Sequence, residues 1–197
     1  MEVLIIDSGG ANLASLQFAL ERLGARANVT SDAREIAAAA RVILPGVGSA
    51  ADAMHRLRRS QLSELLPTLR QPVLGICLGM QLLFESSAEG MTKCLGVLPG
   101  TVRRLEAALE RPVPHMGWNQ LTPSRVDPLL EGIEPGEYFY FVHSYAVLAS
   151  EVTLAQVHYG EAISAVVRRG NFWGTQFHPE RSSAAGARLL GNFLRLT

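Results

Sequence analysis

Lysine is all but missing from this chain of 197 residues. Lys93 stands alone, arginine supplies the rest of the 18 basic side chains, and 18 acidic ones cancel them to a formal net charge of zero. A balanced charge leaves no basic footprint for nucleic acid and no polybasic stretch for a membrane surface. Cysteine is nearly as scarce. Cys77 and Cys94 share no C-x-x-C spacing and have no histidine-rich companion, which argues against a zinc knuckle and against a disulfide framework, and fits a reducing compartment. Long apolar runs are absent too, since none approaches the roughly 18 residues that span a bilayer. The opening "MEVLIIDSGG" lacks the charged and long apolar regions of a secretion signal, so a cytoplasmic protein is expected. Repeats, linkers and low-complexity tracts are missing as well, and one domain over residues 1–197 is expected, with no motif that calls for a metal or other cofactor.

What is present is an alternation of short apolar runs with helical spacing. Val3-Leu4-Ile5-Ile6 reads as a buried strand, and Leu13, Leu16, Leu20 and Leu23 recur at helical spacing until Gly24 closes the helix. Ala37 to Ala40 reads as plain helix. Arg41 to Leu44 reads as a strand ended by Pro45-Gly46, and Pro72 to Ile76 as another. This pattern predicts a parallel sheet with crossover helices, whose ligands collect beyond the carboxyl ends of the strands. The loops Asp7 to Asn12 and Gly46 to Ser49 and the turn at Cys77 fall on that edge. From about residue 96, aromatic and β-branched segments such as "YFYFVHSYAV" and "AISAVVRRGNFWGTQF" predict appended antiparallel strands. Ser182-Ser183 is placed to cap a last helix carrying Leu189, Leu190 and Phe193.

Three short stretches carry chemistry. In "GICLGMQ", Cys77 stands between glycines after an apolar strand and before Met80, Leu82, Leu83 and Phe84, which suit a helix. A strand-to-helix elbow of this kind presents its middle side chain above the sheet, where a thiolate is favoured. Taken alone, such a cysteine is more often a small buried apolar side chain. In "QFHPE", proline holds His178 extended, and residues two apart on an extended segment share a side, so Glu180 can orient the imidazole. In "LPGVGSA", Gly46-Val47-Gly48 follows a strand on the same edge, where the Val47 N–H and the N–H of Leu78 are candidate donors to an oxyanion.

"PGVG", "GICLGMQLLF" and "FHPE", in this order and spacing, resemble the triad-type class I glutamine amidotransferases. "VPHMGWNQL" and "YFYFVHSYAV" are similar to the branch that serves imidazole glycerol phosphate synthase. The resemblance implies an open, mostly parallel α/β sheet flanked by helices, flavodoxin-like, with antiparallel additions. It also implies a catalytic triad of Cys77, His178 and Glu180, an oxyanion hole at Val47 and Leu78, and glutamine held near Gly46, Gly48, Gly79, Gln81, Ser144 and Tyr145. The reaction implied is hydrolysis of glutamine to glutamate through a γ-glutamyl thioester, with ammonia passed to a cyclase subunit in a heterodimer of the histidine pathway. Asn12, Trp118 and Arg181 are implied toward that partner's docking face.

The chain departs from the family pattern twice. "DSGGAN" carries Ser8 where relatives have an aromatic and Ala11 where they have a second glycine, and Arg181 stands where lysine is usual. Three alternatives stay open on residues alone. The chain could serve another synthase, such as those of pyridoxal phosphate, anthranilate or aminodeoxychorismate. It could be a non-catalytic binding subunit of the same fold, or a cysteine redox sensor. The "PHMGWN" stretch opposes the first and the complete triad opposes the second. The paired His178 and Glu180 would have no clear use in the third. His143 is read as structural, because nothing in its spacing ties it to Cys77.

Overall fold

The computed structural model describes residues 1–7 and 13–197. Asn12 and the Ser8 to Ala11 departure lie outside the described residues. The first half winds as β1 (Glu2–Ile6), α1 (Leu13–Arg22), β2 (Arg26–Thr30), α2 (Ala33–Ala38), β3 (Val42–Gly46), α3 (Ala50–Arg59), α4 (Leu62–Leu65), β4 (Val73–Cys77) and α5 (Leu78–Leu82). The second half continues with β5 (Phe84–Ser87), β6 (Thr92–Lys93), β7 (Leu98–Arg104), β8 (His115–Gln120), β9 (Thr122–Pro123), β10 (Tyr138–His143) and β11 (Tyr145–Ala146). It closes with β12 (Thr153–His158), β13 (Ala162–Arg169), β14 (Phe172–Thr175) and α6 (Ser183–Arg195).

The main sheet has eight strands in the order β2-β1-β3-β4-β14-β13-β12-β9. From β2 to β14 neighbours run parallel, and β13, β12 and β9 extend the sheet antiparallel. The continuous apolar runs are explained by burial on both faces. Val3 and Ile5, Ile43, and Leu74 and Ile76 point into a core closed by Leu16 and Leu20 of α1 and Leu189, Leu190 and Phe193 of α6. Their neighbours Leu4 and Ile6, Val42 and Leu44, and Val73 point the other way, against Ile36, Met54, Leu57 and Leu62 of the helices α2 to α4.

Several local expectations need correction. Strand β3 runs on through Pro45 and Gly46, paired with Ile76 and Cys77 of β4. The run at Ala37 leaves the helix at Ala38, with Ala39 already extended. Helix α5 ends at Leu82, so Phe84 opens a strand, its side chain wholly buried in the second core. β14 is parallel to β4 although its other neighbour, β13, is antiparallel. Ser182 sits at the start of α6 but does not cap it with its side chain. Its Oγ donates to the His178 carbonyl at 2.7 Å and accepts the Tyr140 N–H at 3.0 Å.

Candidate functional site

Topology brings the two halves of the site together. β4 and β14 are parallel neighbours, with Ile76 beside Thr175, so Cys77 at the end of β4 and His178 three residues beyond β14 emerge on the same edge. β3 lies on the other side of β4 and delivers Gly46 opposite Cys77, with Val47 and Gly48 just beyond. The long segment from β5 to β11 folds over this edge. Its residues Glu89, Pro114, Val142, His143, Ser144 and Tyr145 complete a cavity of about 390 Å³ with Val47, Gly48, Cys77, Leu78, Gln81 and His178.

Cys77 adopts φ 54° and ψ −112°, a left-handed turn that a side chain other than glycine enters only at a cost of about 1–3 kcal/mol. Packing imposes it. A Cβ on Gly75 would lie 2.7 Å from the Gly79 carbonyl oxygen, and one on Gly79 would lie 1.8 Å from the Leu44 carbonyl oxygen. Glycine at both positions therefore lets α5 press directly onto β3 and β4, and the chain turns at Cys77. Gly79 does not border the cavity, and Gly46 borders a smaller one of about 110 Å³ on the far side of Val47 and His178, together with Glu180 and Arg181.

His178 is extended, with φ −98° and ψ 97°, and its N–H donates to the Tyr140 carbonyl at 3.0 Å. Glu180 reaches it differently from the extended-chain expectation. Residues 179–181 form a single 3-10 turn, which folds the carboxylate back so that Oε1 lies 2.8 Å from His178 Nδ1. Burial lowers the affinity of this ring for a proton, but interactions with Cys77 and with Glu180 outweigh it and lift the pKa from 6.5 to about 10. Nε2 is buried without a partner at hydrogen-bonding distance, so it is free for a reacting group. The ring thus stands between a sulfur and a carboxylate, and both favour its protonated form.

The cysteine sulfur has two polar neighbours besides the ring. The Val142 carbonyl oxygen is 3.9 Å away and the Gln176 amide nitrogen 3.8 Å. Gln81 reaches across the floor of the cavity, its Nε2 donating to the Tyr145 carbonyl at 2.8 Å and to Gln176 Oε1 at 2.9 Å. Of the expected pocket residues, Gly48, Gln81, Ser144 and Tyr145 border the cavity.

His143 borders it too. Its Nδ1 lies 2.8 Å from the Tyr145 carbonyl and its Nε2 3.0 Å from His115 Nδ1, so a buried pair of neutral histidines supports the wall. Burial is the first cause of their low pKa values, about 4 for His115 and about 3 for His143. Glu89 was not legible as a site residue. It stands in the turn before β6 with nothing in its sequence neighbourhood to mark it, yet it borders the cavity and its Oε2 accepts the Ala50 N–H at 2.7 Å at the head of α3. Gln176 was legible only as part of a motif.

Trp118 is half exposed on β8, two residues from exposed Met116 and across from Tyr140 of β10, with exposed Tyr138 two residues further along β10. Its ring meets Tyr140 edge-on at 5.9 Å, and the Arg181 guanidinium lies 4.9 Å over the same Tyr140 ring. Trp118 and Arg181 therefore share one surface, continuous through Arg181 with the smaller cavity. Among the described residues no cluster of acidic, histidine or cysteine side chains is placed to hold a metal, and no helix is long and apolar enough to cross a membrane.

A cysteine at a strained elbow, a histidine backed by a glutamate and a cavity beside both are the parts that nucleophilic acyl transfer requires. The profile of the family described as "Glutamine amidotransferase class-I" matches residues 4–196, and the chain belongs to that family. Among curated proteins it is 54% identical over 99% of its length to the imidazole glycerol phosphate synthase subunit HisH of Xylella fastidiosa strain Temecula1, covering 98% of that protein. It is 52% identical to the subunit of the same name from Shewanella oneidensis, with 99% and 96% of the two chains covered. Among solved structures, one titled "Crystal structure of glutamine amidotransferase" aligns with a TM-score of 0.75 at 23% identity over 98% of this chain and 96% of that one. PurLQS from Thermotoga maritima aligns at 0.73 and 20%, over 98% of this chain and 97% of that one. These two bear on the fold alone.

Proposed function

We propose that the chain, as one domain over residues 1–197, is the glutaminase subunit of an imidazole glycerol phosphate synthase. It hydrolyses glutamine to glutamate and hands the ammonia to a cyclase subunit. The observation that carries this reading is that Cys77 and His178 border one cavity while Glu180 backs the His178 ring from behind, in a chain 54% identical over 99% of its length to the HisH subunit of Xylella fastidiosa.

Cys77 Sγ attacks the side-chain amide carbon of glutamine, and the oxygen that gains charge is held by the N–H groups of Val47 and Leu78 at the mouth of the elbow. His178 gives its Nε2 proton to the amide nitrogen, which leaves as ammonia, and the γ-glutamyl group stays on sulfur. Water then adds to the thioester with His178 as base, the C–S bond breaks, and glutamate departs. Glu180 holds the ring through Nδ1 in both steps. At the far end of the substrate, the Glu89 carboxylate is the acidic group placed to receive the α-ammonium, and the Ser144-Tyr145 segment forms the opposite wall.

Free ammonia is mostly protonated at neutral pH and then no longer nucleophilic, so the product needs a short route to its acceptor. The smaller cavity, which shares Val47 and His178 with the larger one and is lined by Arg181, is the candidate for that route, on the side of the surface that carries Trp118. An exposed aromatic flanked by a cation is a suitable anchor for a protein partner. The test measures glutamate formed from glutamine by the purified chain, alone and with the cyclase subunit and its nucleotide ligand. Cys77-dependent turnover stimulated by the cyclase is expected. Turnover that ignores the cyclase would remove the pathway assignment, and turnover by Cys77→Ser at the wild-type rate would remove the chemistry.

A further inference from the structure

The Gln176 side chain is fully buried, and the hydrolytic steps above give it no work. Its orientation is nevertheless fixed by its neighbours. A carbonyl oxygen can only accept, so the Tyr145 carbonyl, 2.8 Å from Gln81, must face the Gln81 nitrogen. The second hydrogen of that nitrogen is then directed at Gln176 Oε1, 2.9 Å away. With its oxygen committed, Gln176 turns its own nitrogen toward Cys77 Sγ at 3.8 Å. The sulfur therefore has a partner in each protonation state. As a thiol it donates to the Val142 carbonyl at 3.9 Å, and as a thiolate it accepts from Gln176.

We propose that Gln176 is a hydrogen-bond donor to the Cys77 thiolate, its amide pinned through Gln81 by the Tyr145 carbonyl, so that the cavity wall and the nucleophile are one connected relay. The proposal rests on the reading of Cys77 as nucleophile. A donor to the charged form lowers the pKa of an acid, and removing one raises it. Gln81 also gains a second role, because a substrate that displaces the Tyr145 segment would release the amide that steadies the sulfur.

The test is the pH dependence of Cys77 alkylation by iodoacetamide without glutamine, the modified residue being identified by peptide mass. Burial pushes the Cys94 thiol up to about 11, which keeps it out of the reaction. Gln176→Met is expected to move the acid limb up by about one pH unit and to slow alkylation about tenfold below it. Gln176→Asn, whose amide is too short to reach, is expected to do the same and serves if the methionine variant does not fold. Gln81→Met, which unpins the amide without removing it, is expected to give a smaller upward shift. In the double variant the shift should equal that of Gln176→Met alone, since the relay is already cut. An unmoved limb in a folded Gln176 variant overturns the proposal, as does an unmoved limb in Gln81→Met, or shifts of the two that simply add. If glutamine turnover did not need Cys77, the glutaminase reading would fail instead, a result this alkylation profile does not touch.

Discussion

Gly79→Ala is the substitution that the packing of the elbow makes most costly. The added Cβ would lie 1.8 Å from the Leu44 carbonyl oxygen and 2.8 Å from its carbon, whereas real Cβ contacts essentially never fall below 3.0 Å. The obstacle is the backbone of β3, every residue of which is buried, so no side chain can swing aside. Strand and helix must part by at least 3.0 − 1.8 = 1.2 Å. Overpacking a core costs about 1–3 kcal/mol, and an obstacle made of buried backbone puts this case at about 3 kcal/mol. In a chain of this size that lowers the melting temperature by about 6–12 °C. Because Gly79 follows Cys77, the proposed nucleophile, by two residues, the same displacement carries Cys77 Sγ and the Leu78 N–H out of register, and a misplacement of about 1 Å costs about 10²-fold in rate. Gly48→Ala is the control. At φ +89° it is strained, but nothing lies within 4 Å, so only about 1–2 kcal/mol of backbone cost is expected, a few degrees of melting temperature. Thermal melts followed by circular dichroism, with glutamine turnover on the same preparations, compare the two. A Gly79→Ala protein that melts and turns over like wild type would refute the packing argument.

Glu89→Gln keeps an acceptor for the Ala50 N–H but removes the negative charge from the cavity, so KM for glutamine is expected to rise about tenfold with kcat little changed. The buried pair His115 and His143 is neutral in the folded state, with pKa values of about 4 and about 3 against 6.5. An unfolded chain binds protons there that the fold does not. Their contribution is therefore complete above pH 6.5 and is lost as pH falls toward 4, on the order of 3 kcal/mol from His115, to be read from urea melts across that window. His178 has the opposite sign. Its pKa rises to about 10, so its stabilisation is complete below pH 6.5 and is lost as pH climbs toward 10, and Glu180→Gln should flatten that decline in the same melts.

The strands with two buried faces were legible because a continuous apolar run leaves little else for them to be. Strand β2 was not, because Arg26, Asn28 and Thr30 of "RANVT" alternate at the sheet edge and dilute the signal. The placement of Cys77 and His178 on one edge was legible for a topological reason. Both stand just beyond the carboxyl ends of strands, where local motifs and the parallel order of β4 and β14 speak for the same edge. Glu89 and His143 reach the cavity through the fold of the segment from β5 to β11, which no local period encodes. The Ser182 hydroxyl illustrates the limit of capping rules. It sits where a cap is expected, but the buried His178 carbonyl and Tyr140 N–H offer it two partners that a helix end does not.

The central claim is covalent catalysis by Cys77, and the thioester itself can be weighed. The chain is mixed with glutamine in the presence of a cyclase subunit, quenched in acid during turnover, and the peptide containing Cys77 is analysed by mass. A γ-glutamyl adduct on Cys77 is predicted, decaying as glutamate appears and absent from Cys77→Ala. Full turnover by a protein whose Cys77 never carries the adduct, or has been alkylated beforehand, would contradict the account.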